Sequence, residues 1–265
     1  MIEVPFTKLH GAENDFLLTW RDEAPDVNFE EVARRICART TGIGADGWML
    51  VSMQDAALNT RLFNSDGGEA ELSGNGTRCA AAFALSKGVV SPPHVSVVTG
   101  AGEKNLQLLS HIRNRFLFEM NMGQPKVEDV HAVMHLAGSE FSATILNVGN
   151  PQCAIFVERF PDNWQAAAEE AERHERFPHR SNISFVRVVD PHTVEAVFFE
   201  RGAGETRSSG TGSTGAAAAA ILRNIVESPV EVQTPAGSLM VRWDDDVFLT
   251  GPAELIGEGR VFLDL

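Results

Sequence analysis

One stretch of this chain is written twice. FNSDGGEAELSGNGTRCAAA, Phe63–Ala82, aligns without a gap on FERGAGETRSSGTGSTGAAA, Phe199–Ala218, at a constant offset of 136 residues. Phe63/Phe199, Gly68/Gly204, Glu69/Glu205, Ser73/Ser209, Gly74/Gly210 and Gly76/Gly212 coincide, as do the three alanines that follow. Each copy reads as a strand end, a glycine-rich loop and the start of an alanine-rich helix. Ser73 or Ser209 falls where an N-cap hydroxyl would satisfy one of the N–H groups that a first helical turn leaves unbonded. The remaining N–H groups and the helix dipole make such a terminus an anion site, suited to a carboxylate.

The repeat is longer than the loop. Asn14 falls on Asn150 at the same offset, and after a one-residue slip Val95–Gly102 falls on Val230–Gly237. The period exceeds that of solenoid repeats, so the chain reads as two homologous domains of about 130 residues, an ordinary domain size. The expected division is 1–121 and 122–265, with a last strand near 258–265 able to pack back on the first domain. If approximate two-fold symmetry relates the domains, Ser73 and Ser209 face each other across a cleft on which two helix N-termini converge.

Composition narrows the function. A formal charge of −14, with no basic stretch to offset it, argues against nucleic acid and anionic membranes as partners. Cys37, Cys79 and Cys153 are an odd, sparse set without CxxC spacing, and the eight histidines do not cluster, which points away from disulfides and metal ligation. A reducing cytoplasm fits. The N-terminal MIEVPFTKLHG lacks the apolar core of a signal peptide, and the alanine run Ala216–Leu222 is far short of the roughly 20 residues that span a bilayer.

Hydrophobic periodicity predicts strands at Ile2–Lys8, Phe16–Trp20, Trp48–Ser52 and Arg61–Asn64, then near 94–99, 104–110 and 115–121. It predicts helices over Asn28–Arg39 and Gly74–Lys87. Gly123 and Pro125 predict a linker over Asn121–Asp129. The second half repeats the plan, with a strand to Val148, a turn at Gly149–Gln152, a strand to Glu158, helices near 162–176 and 210–223, and strands near 182–189 and 192–199. Strand-rich halves with one central and one peripheral helix each make the expected fold α+β, with mixed sheets wrapped round a helix.

Polar residues gather at corresponding places in the two halves. The first has Asn14, Asn64 and Ser73-Gly74-Asn75; the second has Asn150, Gln152, Asn182, Glu200-Arg201 and Ser209-Gly210-Thr211. Taken singly, each Asn reads as a turn residue and each Ser as a cap. Their duplication and their crowding beside two helix starts favour a binding site for the group. Arg201 suits a ligand carboxylate through a bidentate fork, and Cys79 and Cys153 read as buried.

FTKLHGAENDF (Phe6–Phe16), GIGADG (Gly42–Gly47), FNSDGGEAELSGNGTRC (Phe63–Cys79), NVGNPQC (Asn147–Cys153), SNISFV (Ser181–Val186) and ERGAGETRSSGTG (Glu200–Gly212) resemble the successive motifs of the diaminopimelate epimerase family, in order and across nearly the whole chain. That family is similar in fold to proline racemases and phenazine-biosynthesis isomerases. The resemblance implies two pseudo-symmetric domains, each a curved, barrel-like mixed β-sheet around a central helix. It implies an isomerase of lysine biosynthesis acting at an amino-acid α-carbon, without pyridoxal phosphate, metal or other cofactor. Its expected partners are diaminopimelate or a similar amino acid and a second copy of the chain. Substrate contacts would fall on Asn14, Asn64, Asn150, Asn182, Glu200 and Arg201, with backbone N–H contacts from Gly74-Asn75 and Gly210-Thr211.

In that family one cysteine removes the α-proton and another returns one on the opposite face. Here the matching positions are Ser73 and Ser209, the family's histidine after Gly-Asn-Pro is Gln152, and its glutamine after the GIG turn is Gly47. A thiol with a pKa near 8.5 reaches the thiolate range at a helix N-terminus; a hydroxyl starts many units higher, and a dipole contributing about 1 kcal/mol cannot close that gap. Serine needs a partner base. Glu200 can serve on one side, whereas Gln152 cannot accept a proton. Three readings stay open: an isomerase using Ser73, Ser209, Glu200 and Gln152; a lyase or dehydratase that abstracts a proton on one side; and an amino-acid-binding homologue without turnover.

Overall fold

The computed structural model describes residues 1–264 and divides into two compact units, Met1–Met120 with the segment from Gly251 onward, and Asn121–Thr250. The chain begins with β1 (Ile2–Gly11), β2 (Asn14–Trp20), α1 (Phe29–Ile36), β3 (Gly47–Gln54), β4 (Ala57–Asn64), β5 (Glu69–Ala70) and α2 (Gly74–Ser86). It continues with β6 (His94–Thr99), β7 (Gly102–Ile112), β8 (Arg115–Gly123), β9 (Lys126–Leu136), β10 (Ser139–Asn147), β11 (Pro151–Phe156) and α3 (Trp164–Glu172). It ends with β12 (Asn182–Asp190), β13 (Thr193–Glu200), β14 (Gly204–Thr206), α4 (Gly210–Leu222), β15 (Val230–Thr234), β16 (Gly237–Trp243) and β17 (Val247–Leu263).

In the first unit β1–β2, β3–β4, β6–β7 and β7–β8 pair antiparallel, while β2–β3 and β4–β6 pair parallel. β17 pairs with both β1 and β8 and closes the sheet on itself. The second unit repeats the same order of pairings: β9–β10 and β10–β11 antiparallel, β11–β12 parallel, β12–β13 antiparallel, β13–β15 parallel, then β15–β16 and β16–β17 antiparallel. The fold is therefore α+β, with a mixed, curved sheet in each unit. The expected last strand reaches position 265, outside the described residues; β17 runs to Leu263, which lies opposite Ile2.

Each sheet wraps a helix that has no solvent-exposed face along most of its length. Gly74–Ala84 of α2 and Gly210–Ala220 of α4 are buried at every position, the arrangement expected of a helix apolar on all sides. Alanine and glycine keep these helices thin enough for strands to approach from every direction. The closest approaches fall at equivalent glycines: a Cβ on Gly76 would lie 2.9 Å from Met49 Cε, and one on Gly212 would lie 2.6 Å from Phe198 Cδ1. The second glycine of each repeated Gly-x-Gly is thus a packing requirement of the helix's first turn.

The peripheral helices cover the outside of each sheet. Asn28 caps α1 by accepting from Glu31 N–H at 3.2 Å, and Val32, Ala33 and Ile36 pack in a core with Trp48, Leu50 and Phe63. α3 buries Ala167, Ala168 and Ala171 in a core with Ile155, Ile183 and Phe185. Both helices are shorter than their sequence patterns predict. α1 stops at Ile36 because the chain folds back, with Ile43 and Gly44 N–H donating to the Ile36 carbonyl. The linker expected at Asn121–Asp129 is mostly strand: β8 runs to Gly123 and β9 starts at Lys126, which leaves Gln124 and Pro125 as the only break.

Phe185 has no exposed surface and meets Phe141 and Trp164 edge-on, with centroids 5.9 and 6.2 Å away. Phe185→Ala is expected to destabilise the protein by about 3–5 kcal/mol, seen in urea unfolding as a lower midpoint at unchanged slope.

Candidate active site

In the first unit the site starts at the turn between β1 and β2. Gly11 pairs with Asn14, and the two residues between them, Ala12 (φ 50°) and Glu13 (φ 61°), are both left-handed. Glycine and asparagine are the usual occupants of such a turn; here a tight hairpin built from other residues sets Asn14 at the first position of β2. Asn14 Nδ2 donates to Asp46 Oδ2 at 2.7 Å, and Asn14 Oδ1 accepts from Asn75 Nδ2 at 3.3 Å. Arg39 holds Asp46 at 2.7 Å and forks onto Asp15 at 2.9 and 3.2 Å, where Lys8 adds an ion pair at 2.9 Å. Burial raises the Asp15 pKa, but hydrogen bonds from Arg39 and Lys8 outweigh it and hold the carboxyl below its ordinary value of 3.8.

Half-buried Ser73 caps α2 by accepting from Gly76 N–H at 3.1 Å, while Thr77 N–H bonds the Ser73 carbonyl. The N–H groups of Gly74 and Asn75 find no acceptor among the described residues. They are the unbonded donors of a helix N-terminus. Asn64 ends β4 just before this loop, and its side chain has no partner among the described residues.

In the second unit Ser209 caps α4 the same way, accepting from Gly212 N–H at 3.0 Å, and Gly210 and Thr211 N–H remain unbonded among the described residues. Ser209 differs in being buried and in donating its own proton to Glu200 Oε1. Asn150 Nδ2 donates to Thr211 Oγ1 at 3.3 Å, and Asn150 Oδ1 accepts from Gln152 Nε2 at 2.6 Å. The Asn14–Asn75 contact thus recurs as Asn150–Thr211 at the same length, with the donor reversed. Asn182 accepts from Arg201 N–H and donates to the Pro151 carbonyl, both at 2.9 Å. The Arg201 guanidinium reaches the His179 carbonyl at 3.4 Å.

Each unit therefore gathers its own candidates at a helix N-terminus: Asn14, Asn75, Ser73 and Gly74 in one, Asn150, Gln152, Thr211, Ser209, Gly210 and Glu200 in the other. Gln152 stands behind Asn150 rather than beside it. It is wholly buried, its Oε1 has no hydrogen-bond partner among the described residues, and a Cβ on Gly215 would lie 3.0 Å from its Cγ. The three thiols offer no alternative nucleophile. Cys37, Cys79 and Cys153 are buried, and burial is the main cause that pushes each pKa up to about 12.

Sequence reasoning missed Asp46, which holds Asn14, Arg39 and Asp15, which brace Asp46, and Arg78, which holds Asn75 at 2.5 Å. GIGADG reads as a turn, and only the pairing of β2 with β3 brings Asp46 to Asn14. Arg78 carried a signal of another kind: it is the lone charge on an alanine-rich helix.

Gly215→Ala is expected to destabilise the protein by displacing Gln152 and to be nearly neutral in a Gln152→Ala background. A double-mutant cycle read by urea unfolding should give a coupling of about 1 kcal/mol or more. Because the folded-state pKa of Asp15 is depressed, its stabilising contribution is complete above the unfolded value of about 3.9 and is lost as pH falls through the folded value. The stability gap between wild type and Asp15→Asn is thus expected to be widest above pH 5 and to close towards pH 2.

The family model for diaminopimelate epimerase matches residues 6–128 and 144–256. The chain is 36% identical over 279 residues to the diaminopimelate epimerase of Aromatoleum aromaticum, covering 98% of this chain and 99% of that one. It is 34% identical over 273 residues to that of Pelotomaculum thermopropionicum, covering 96% and 98%. Among solved structures, a hydroxyproline epimerase from Agrobacterium vitis superposes with a TM-score of 0.75 at 14% identity, covering 98% of this chain and 91% of that one. A phenazine biosynthesis protein of the PhzF family from Bacillus anthracis does so at 0.74 and 16%, covering 99% and 100%. With two helix N-termini of equivalent build and a match that runs through both halves, the chain belongs to the diaminopimelate epimerase family of cofactor-independent isomerases.

Proposed function

We propose that this enzyme acts at the α-carbon of diaminopimelate or a closely similar amino acid, with Ser209 and Glu200 as its working proton acceptor. The hydrogen bond from Ser209 Oγ to Glu200 Oε1 carries this reading. As Ser209 Oγ takes the α-proton, its own proton passes to Glu200, so no free alkoxide forms. The electron pair left on the α-carbon delocalises into the α-carboxylate, where the unbonded N–H groups of Gly74, Asn75, Gly210 and Thr211 are suited to stabilise the developing charge. Asn14, Asn64, Asn150, Asn182 and Arg201 are the proposed contacts for the rest of the substrate, and Gln152 acts by fixing the amide of Asn150.

The two serines are not equivalent. Position 64, which corresponds to 200, is Asn, so Ser73 lacks the carboxylate that Ser209 has. Proton return from Ser73 leaves an unassisted alkoxide, far from the pKa match that efficient acid–base catalysis needs. Proton exchange on the Ser209 side therefore outruns full inversion. This one-sidedness is also what a lyase would use. The reading further places the protein in the cytoplasm as a homodimer at a step of lysine biosynthesis. Support for the first comes from three buried free cysteines and from the lack, among the described residues, of a helix long and apolar enough to cross a membrane.

The test is incorporation of solvent deuterium at the α-carbon of diaminopimelate, measured beside epimerisation. Wild type is expected to exchange faster than it inverts. Ser209→Ala and Glu200→Gln should each lower exchange by about 10²-fold or more, while Ser73→Ala changes it little. The Ser73→Cys/Ser209→Cys variant should raise epimerisation, more so with Gln152→His, because thiols at helix N-termini ionise readily. Fast epimerisation that survives both serine-to-alanine changes overturns the assignment. Binding without exchange identifies a non-catalytic homologue; it is seen as a thermal shift, since ligand at 100 times its dissociation constant adds about 2.7 kcal/mol.

A further inference from the structure

Arg78 lies in the first turns of α2 with no exposed surface. Its guanidinium makes hydrogen bonds to Gly74 O at 3.2 Å, Asn75 Oδ1 at 2.5 Å and Pro252 O at 3.1 Å. All of these acceptors are neutral, and no carboxylate pairs with Arg78 among the described residues. Burial pulls its pKa down to about 10, so it stays protonated at neutral pH. A buried charge without a counter-ion is strongly unfavourable, and the surrounding packing leaves little room to relieve it. A Cβ on Gly11 would already lie 3.1 Å from Pro252 O, 3.2 Å from Asn75 Cβ and 3.3 Å from Arg78 Nη2.

The duplicated half shows that this motif does not need a charge to fold. The position equivalent to Arg78 is Thr214, whose hydroxyl donates to Gly210 O at 2.8 Å. At the place before the loop the difference runs the opposite way, with neutral Asn64 in the first half and Glu200 in the second. One helix N-terminus thus carries a buried cation close behind it, and the other carries a carboxylate on its cap.

We propose that Arg78 is a positioning residue that fits the α2 terminus to hold the substrate's carboxylate. It fixes the Asn75 amide, which in turn donates to Asn14, and it keeps a positive charge behind the unbonded Gly74 and Asn75 N–H groups. The substrate's α-carboxylate supplies the counter-charge that the fold omits. This role rests on the proposed reading of the α2 terminus as a substrate-binding site.

The experiment compares wild type with Arg78→Gln, Arg78→Lys and Asn75→Asp, titrating each with diaminopimelate and with its diamide. In ligand-free protein it also follows the ¹⁵N–¹H signals of the Asn14, Asn75 and Asn150 side chains. Arg78→Gln is expected to weaken diaminopimelate binding at least tenfold and diamide binding little, and Arg78→Lys should restore most of the loss. Asn75→Asp, which places a counter-charge inside the protein, should raise the ligand-free melting temperature and abolish the preference for the carboxylate. The Asn14 and Asn75 amide signals should move in both Arg78 variants while those of Asn150 stay fixed. Equal loss of both ligands in Arg78→Gln, or unchanged affinity for both, overturns the proposal. If wild type binds neither ligand, the substrate reading fails and the amide signals decide: unmoved Asn14 and Asn75 resonances in a folded Arg78 variant show that the residue positions nothing.

Discussion

Both units depend on a helix that has no solvent face. Burying α2 and α4 on every side favours alanine, glycine and other small groups, with Arg78 and Phe83 the large exceptions on α2, and it leaves the first-turn N–H groups away from bulk water. Those donors must find partners. A serine cap accepts one, and the cap carbonyl accepts the next. The remaining two, Gly74 and Asn75 in one unit and Gly210 and Thr211 in the other, find no acceptor among the described residues. The same packing that makes the helix possible therefore leaves unbonded donors at its start, which is why the repeated stretch is both the centre of the fold and the candidate site.

Duplication supplied two such starts, and the sequence has since given them opposite characters. In the alignment of the two copies Asn64 corresponds to Glu200, Asn75 to Thr211 and Arg78 to Thr214. The contact between the turn asparagine and the helix's first turn survives at 3.3 Å in both units, but the amide points one way in Asn14 and the other in Asn150. The reversal has a local cause in each case. Asp46 can only accept, so it takes Asn14 Nδ2; Gln152 offers its amide nitrogen, so it takes Asn150 Oδ1.

In the proposed reaction the burial of all three thiols leaves the chemical burden to hydroxyls. Cys79 sits six residues after the Ser73 cap, yet it faces the wrapped side of α2, where burial pushes its pKa up to about 12. Position along the helix decides this: the cap lies outside the helical hydrogen-bond ladder, beside the unbonded donors, whereas a residue more than a turn further in is enclosed by strands. A serine at the cap is useful as a base only through a neighbour that takes its proton, and Ser209 has that neighbour in Glu200.

Much was legible in the sequence. The 136-residue offset carried the two-unit plan, the glycine-rich loops, the capping serines and the alanine helices, because each depends on residues close together in the chain. The matching motifs carried the family. What the sequence could not reveal were contacts that depend on strand pairing. Asp46 reaches Asn14 because β2 and β3 run parallel, Gln152 is enclosed because α4 passes over β11 at Gly215, and Arg78 is bonded to Pro252 from a strand 174 residues away. The break expected near Pro125 shrank to two residues because the strands on both sides continue in the sheet. Local residue order determined which groups the protein brings to its helix starts; only the closing of the sheets around those helices decided which of the groups are buried, which way their amides point and which charge is left without a partner.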